Sequence, residues 1–405
     1  MNTLFKNAVL NGKVIDIFIK NGVISDSPKA DDLYETIDCS GCTILPPITD
    51  LHVHLRDPGL THKETIETGT LAARNGGCST VFAMPNTKPA CDNPETIKYI
   101  LSKEKSTEVF PVAAITKGLS GTELTDFYKL KEAGAAAFSE DGMPVENTDL
   151  FIQALKQAYE LNMPVFAHCE NKSYVKDRLN IPHEAESTAV LREIKAAAKI
   201  NAPIHICHVS TKESLAIIKD AKAAGIPVTA ETGPHYFTLT KEAIKSKGSF
   251  AMMNPPLCQE ADLYAVKEAI ANGTIDVIAT DHAPHSTEEK SGPLEKAPFG
   301  ITGLETSFAL SYTHLVKSGI ISLEKLIDMM SVKPRIIGRI PQIPFLEKGL
   351  APTFIIVNLN KEYEFNSINS YSKSRNTPFD GSIMSGEIKY NILRGDIFKC
   401  QQMYL

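Results

Sequence analysis

Eight times between residues 47 and 345 a short apolar, β-branched run is followed by a longer stretch whose apolar residues recur three and four apart. The runs are PITDLHVHL, CSTVFAMP, VFPVAAIT, GAAAFSED, MPVFAHCE, APIHICHVS, IPVTAETG and TIDVIATDHAPH. The stretches between them, among them ETIETGTLAARNGG, TDLFIQALKQAYELN and KESLAIIKDAKAAG, often close on Gly or Asn, residues that tolerate the left-handed turn ending a helix. Strands joined by helices run parallel, because only a long crossover returns the chain to the same edge of a sheet. Eight such units predict an α/β fold, a (β/α)8 barrel of the TIM type over residues 47–347.

The flanks follow another period. KVIDIFIKNGVI near the start, and PTFIIVNL and EIKYNILRGDIFK near the end, alternate in the manner of short half-buried strands. Neither flank is large enough to bury a core alone. Residues 1–46 and 348–405 are therefore expected to combine in one small β-sandwich domain beside the barrel. A barrel of about 250 residues or more plus this companion accounts for a chain of 405 residues.

Net charge is −6 with Lys and Arg spread along the chain, so there is no basic stripe for nucleic acid and no polybasic segment for a membrane surface. No run reaches about 18 uninterrupted apolar residues, and the N-terminus lacks the charged and apolar regions of a secretion signal. The reading is a soluble cytoplasmic protein. Its eight cysteines are scattered, as reduced thiols are. Cys39 and Cys42 form a Cys-x-x-Cys pair, but no second pair follows at zinc-binding spacing and no thioredoxin-like unit surrounds it, so ordinary cysteines in a turn are expected.

A barrel of this kind carries its reactive groups at the carboxyl ends of its strands. There the chain places His52 and His54 on strand one, Glu140 and Asp141 on strand four, His168 on strand five, His208 on strand six and Asp281 on strand eight. Residues two apart share a face, so His52 and His54 point together, whereas His205 and Cys207 face away from the side that His208 uses. Imidazoles and carboxylates converging on one mouth are the ligand mix of zinc and similar divalent ions. His62, His183, His282 and His314 fall outside this set and read as core or surface residues. Asp50 shares the parity of His52 and His54; it either orients a ligand imidazole or is a plain buried, hydrogen-bonded carboxylate. Arg56 follows on the same parity at the rim, its alternative being an ion pair with Asp57 or Glu64. The polar, Gly- and Pro-containing loop Ser286–Pro298 reads as a lid that orders over a substrate.

Further motifs run nearly end to end: LHVHLRDPG, KETIETGTLAARNGG, MPNTKP, AFSEDG, AHCE, CHVSTKES, MNPPL, TDHAPH, APFGITGLE and KSRNTPFDG. With them the chain resembles the amidohydrolase superfamily and, within it, the dihydroorotases of the bacterial long-chain type. The resemblance implies two zinc ions, the more buried one on His52, His54 and Asp281 and the second on His168 and His208. A strand-four carboxylate bridges them, and in the family's pattern the second member of the acidic pair, Asp141, takes that place before Glu140. It implies further that Arg56, with Asn86 and Asn254, grips the carboxylate of a small-molecule substrate, while His285 and the backbone of Phe299 and Gly300 contact its ring. The reaction implied is reversible hydrolysis of the cyclic amide of dihydroorotate to N-carbamoyl-aspartate in pyrimidine biosynthesis. Asp281 would accept the proton of the attacking hydroxide and pass it to the leaving nitrogen. Charges of +4 from two ions and −1 each from Asp141, Asp281 and hydroxide leave +1, which stabilises a developing oxyanion.

The resemblance also implies a homodimer and admits aspartate carbamoyltransferase as a docking partner. Two positions depart from the family: Cys258 follows NPPL where arginine is common, and KGLAPTFIIVN enters the C-terminal strand where Ala-Asp-Leu is usual. Hydantoinases, dihydropyrimidinases and allantoinases share the fold and the metals but bridge them with a carboxylated lysine at the end of strand four. This chain reads AFSED there, and Lys131 lies in the preceding helix. Non-catalytic partners of aspartate carbamoyltransferase, the remaining alternative, tend to lose metal ligands, and every expected ligand is present.

Overall fold

Each of the eight apolar runs is a strand in the computed structural model, which describes residues 2–343 and 345–401. Strands one to eight are Ile48–Val53, Cys78–Ala83, Glu108–Ala114, Ala137–Ser139, Val165–Ala167, Ile204–Ile206, Val228–Thr232 and Val277–Ile278. They pair parallel in that order, one through eight. The ring closes where Val53 bridges His282 and the His54 amide donates to the His282 carbonyl at 2.8 Å. Asp50 reinforces the same seam, accepting from the amides of His52 at 3.1 Å and Thr280 at 3.2 Å. A (β/α)8 barrel is thus what the alternation builds.

The helices end as their sequences require. Thr211 caps the helix Lys212–Ala223 by accepting from the Ser214 amide, and Leu215, Ile218 and Ala221 turn inward at helical spacing. Asn201 terminates the helix Glu184–Ile200 at φ 50°, and Gly134 terminates Phe127–Ala133 at φ 112°. Between strands and helices lies one continuous apolar layer, while Leu51, Phe82, Val112, Phe166 and Val277 fill the barrel itself. Among the described residues no helix is long and apolar enough to cross a membrane.

The two flanks meet in a mostly antiparallel sheet of eight strands. Its junction is strand Phe354–Glu364, which pairs antiparallel with Thr43–Leu45 through Ile355–Leu45 and Ile356–Ile44. Phe5, Ile19, Ile44, Phe354 and Ile392 form its own core, with Phe5 edge-on to Phe354 and Tyr390. Cys39 and Cys42 are buried free thiols in that core. Polar contacts fasten the sheet to the barrel. Asn391, fully buried, donates to the carbonyls of Arg74 and Cys78 at 2.9 and 3.1 Å, and the Arg74 guanidinium donates to the Asp396 carbonyl at 2.9 Å.

Truncation of Asn391 to Ala removes two buried hydrogen bonds, to the carbonyls of Arg74 and Cys78, each costing about 1–2 kcal/mol. The expected result is a loss of about 2–4 kcal/mol in denaturant unfolding; a loss below about 0.5 kcal/mol shows that the sheet does not depend on this contact.

Candidate active site

Asp141 stands at the centre of the barrel mouth. Its Oδ1 lies 3.2 Å from His52 Nε2, 3.4 Å from His168 Nδ1 and 3.7 Å from His208 Nε2, and its Oδ2 lies 3.5 Å from His54 Nε2. Asp281 approaches the same pair of strand-one imidazoles, Oδ1 being 3.0 Å from His54 Nε2 and 3.6 Å from His52 Nε2. The structure therefore brings together all six residues expected to meet. Glu140 turns elsewhere: its carboxylate accepts from the amide and hydroxyl of Thr116, and burial pushes it up to about 7. Lys131 donates to the Leu161 carbonyl and takes no part.

The donor set suits cations. His52 Nε2 is buried, faces two carboxylates and makes no aligned hydrogen bond among the described residues. His168 Nδ1 and His208 Nε2 face each other at 2.8 Å, where at most one can carry the proton. Burial opposes a charge on His52, yet Asp141 and Asp281 raise its pKa well above 6.5. Burial likewise raises Asp281, but the imidazoles of His52 and His54 bring it down to about 2. Positive charge is called for between these groups, and divalent ions held by imidazole and carboxylate satisfy it. Three of the site residues reach in from left-handed backbone, Arg56 at φ 60°, His208 at φ 38° and Asp281 at φ 47°, a conformation that costs a non-glycine residue about 1–3 kcal/mol.

The structure decides between the two alternatives for Asp50 and adds an orienting residue that the sequence reading missed. Among the described residues Asp50 meets no imidazole; it accepts from the seam's backbone amides at His52 and Thr280, so it is the buried, hydrogen-bonded carboxylate of the two alternatives. Glu231, at the end of strand seven, takes the orienting place. Its Oε1 meets His52 Nδ1 at 2.8 Å and its Oε2 meets His205 Nε2 at 3.1 Å, while His205 Nδ1 contacts the Thr229 hydroxyl at 2.8 Å. A carboxylate on Nδ1 fixes the tautomer that presents Nε2 as a ligand. The acidic residue next to last in the strand VTAET was the available signal.

Beside this cluster opens a cleft of about 260 Å³. Arg56, Asn86, Asn254, His285, Phe299 and Gly300 all line it, together with His54, Asp141, His168, His208 and Asp281. Arg56 is buried, donates to the Pro284 carbonyl at 3.2 Å, approaches His285 Nε2 at 3.4 Å, and pairs with neither Asp57 nor Glu64. Burial, Arg56 and Lys63 push His285 down to about 2, keeping it neutral. Asn86 spans two site residues, its Oδ1 2.7 Å from His54 Nδ1 and its amide donating to Asp141 Oδ2 at 3.0 Å. Asn254 donates to Glu170 at 2.9 Å. His282 is structural, between Glu64 and the Gly303 amide.

The rim is braced from a distance. Asn376, in the C-terminal segment, accepts from the His285 amide and donates to the carbonyls of Ala283 and Gly300. The loop after strand eight, expected as a lid, is tied down in this structure. Lys290 is almost fully buried, and its ammonium donates to the carbonyls of Pro298, Gly300 and Met252 at 2.8, 2.9 and 3.3 Å.

Comparison with known proteins agrees with this geometry. A family model described as dihydro-orotase-like matches residues 41–214. A dihydroorotase of Bacillus cereus (strain ATCC 10987 / NRS 248) is 44% identical over 421 aligned residues, covering 98% of each chain. One from Listeria monocytogenes serotype 4a is 44% identical, over 92% of this chain and 91% of its own. Among solved structures, the L-hydantoinase of Arthrobacter aurescens superposes with a TM-score of 0.87 at 23% identity, covering 100% of this chain and 97% of that one, a likeness of fold.

Replacing Lys290 with Met removes three hydrogen bonds to backbone carbonyls, at a cost of about 2–4 kcal/mol. The loop Ser286–Pro298 is expected to be cut at least about tenfold faster in limited proteolysis, while cleavage elsewhere is unchanged. An unchanged rate at the loop would show that Lys290 does not hold it.

Proposed function

The chain belongs to the dihydroorotase family, and on that footing we propose that it catalyses the reversible, metal-dependent hydrolysis of dihydroorotate to N-carbamoyl-aspartate. The observation that carries the reading is Arg56, a buried guanidinium that makes no ion pair among the described residues and faces the same cleft as the imidazole and carboxylate cluster. A cyclic amide bearing a carboxylate complements both halves of that cleft. His52, His54 and Asp281 would hold one zinc ion and His168 and His208 a second, with Asp141 shared between them. When bound, such ions supply Lewis acidity and lower the pKa of a water to about 7.

The remaining work falls to the chain's own groups. Arg56 receives the substrate carboxylate in bidentate fashion, with the side chains of Asn86 and Asn254 beside it. His285 and the backbone of Phe299 and Gly300 bound the ring. Asp281, lining the cleft with its Oδ1 3.0 Å from His54, takes the proton of the attacking water and delivers it to the amide nitrogen as the ring opens. In the closing direction the same carboxylate removes that proton. Glu231 and Asn86 hold His52 and His54 through their Nδ1 atoms.

Ring opening assayed on metal-replete protein tests the reading directly, and the absence of turnover with dihydroorotate would refute it. Arg56→Met isolates substrate choice. Loss of a charge-assisted partner costs about 2–4 kcal/mol, so kcat/KM for dihydroorotate is expected to fall about 30- to 1,000-fold. Residual activity toward dihydrouracil, which lacks the carboxylate, should change little. An equal loss on both substrates would assign Arg56 to the architecture of the strand end.

Glu231→Gln isolates the orienting contact. The amide preserves the shape but not the charge, and removal of such partners weakens metal binding about 10- to 100-fold. A chelator is expected to strip metal correspondingly faster from the variant, with Tm of the chelator-treated proteins alike. Equal metal loss from both proteins would leave Glu231 a packing residue.

A further inference from the structure

At the edge of the cleft, apart from the histidine cluster, three donors arrive from two segments distant in sequence. His183 precedes the helix Glu184–Ile200, Cys258 closes the segment MNPPLC, and Asp262 lies in the first turn of the helix Glu260–Asn272. One imidazole nitrogen, the thiol sulfur and one carboxylate oxygen all lie within 4.8 Å of one another. We propose that His183, Cys258 and Asp262 form a further binding site for a soft divalent cation such as zinc or cadmium.

The local contacts leave those atoms available and aimed. His183 Nδ1 is engaged by Glu213 Oε2 at 3.0 Å, which leaves Nε2 as the free lone pair, 3.5 Å from Asp262 Oδ2. This repeats, at an unrelated position, the carboxylate-on-Nδ1 arrangement that Glu231 imposes on His52. Asp262 is fixed by the amides of Lys212 and Gln259, both at 3.1 Å, and its oxygens retain lone pairs. Cys258 has only weak sulfur contacts, to the Ser210 hydroxyl at 3.7 Å and the Pro256 carbonyl at 3.4 Å. It is also the one cysteine that is not fully buried. Thiolate, imidazole and carboxylate are zinc donors, whereas magnesium and calcium select oxygen. Binding releases the thiol proton to solvent.

Occupancy would have a structural consequence. His183 and Cys258 line a small cavity that Asn254 and His168 also line. A cation between them ties the segment carrying Asn254 to the start of the long helix, and so stiffens one wall of the cleft.

The test is a cadmium titration of the metal-loaded protein, followed by the ultraviolet thiolate-to-cadmium charge-transfer band and by equilibrium dialysis. Cys207 lies near His52 and Glu231 in the main centre, so that centre is kept loaded with its own metal, and the part of the band that depends on Cys258 reports the new site whether or not the protein turns over dihydroorotate. The expected result is one additional cadmium per chain, with an accompanying band, both of which vanish in Cys258→Ser. In His183→Ala the affinity should drop at least about tenfold; should that variant fail to fold, the half-exposed Glu213→Gln should show a smaller drop in the same direction. A band that survives in Cys258→Ser, that is absent from the unmodified protein, or that is indifferent to both His183→Ala and Glu213→Gln would overturn the proposal.

Discussion

Everything at the mouth of this barrel depends on the seam where its first strand meets its last. Strand eight is only two residues long, so the ring cannot close by a regular ladder. It closes through one bridge between Val53 and His282, one backbone hydrogen bond from His54 and the buried carboxyl of Asp50, which gathers the amides of His52 and Thr280. That short clasp sets Asp281 beside His54 and His52. Without it, two of the three groups assigned to one ion would lie at one edge of an open sheet and the third at the other.

The strand ends are strained where they matter. Arg56, His208 and Asp281 all adopt left-handed backbone, which an isolated chain would abandon. What holds them is over-determination. Arg56 is anchored to the Pro284 carbonyl, His208 faces His168 and Asp141, and Asp281 sits against two imidazoles. The same contacts that pre-position these side chains thus offset the conformational cost, and this is the state in which charged groups need no reorganisation when a reaction begins.

The eight strands and the six clustered residues were legible because both obey short periods. Parity along a strand says which side a side chain takes, and a barrel says which end is reactive. Glu231 escaped because it binds no substrate-facing atom; its role exists only in its contact with His52, a residue 179 positions away. Lys290 escaped for the opposite reason. A lysine in a charged loop reads as solvated, and only the fold reveals the three carbonyls that converge on its ammonium. Asp50 was read with the right two alternatives, and its partners decided between them.

Asn376 adds a consequence for how the protein comes into being. It joins the His285 amide to the carbonyls of Ala283 and Gly300, although it lies beyond every barrel strand in the chain. Ser372 and Lys373 reach back in the same way to Glu64, which lies on the barrel side just after strand one. A nascent chain that has emitted all eight strands and every assigned ligand still has a loose rim around them. Competence therefore arrives late in translation, with a stretch that contributes nothing to the chemistry, and a nonsense codon in the last tenth of the message would silence a barrel that is otherwise whole.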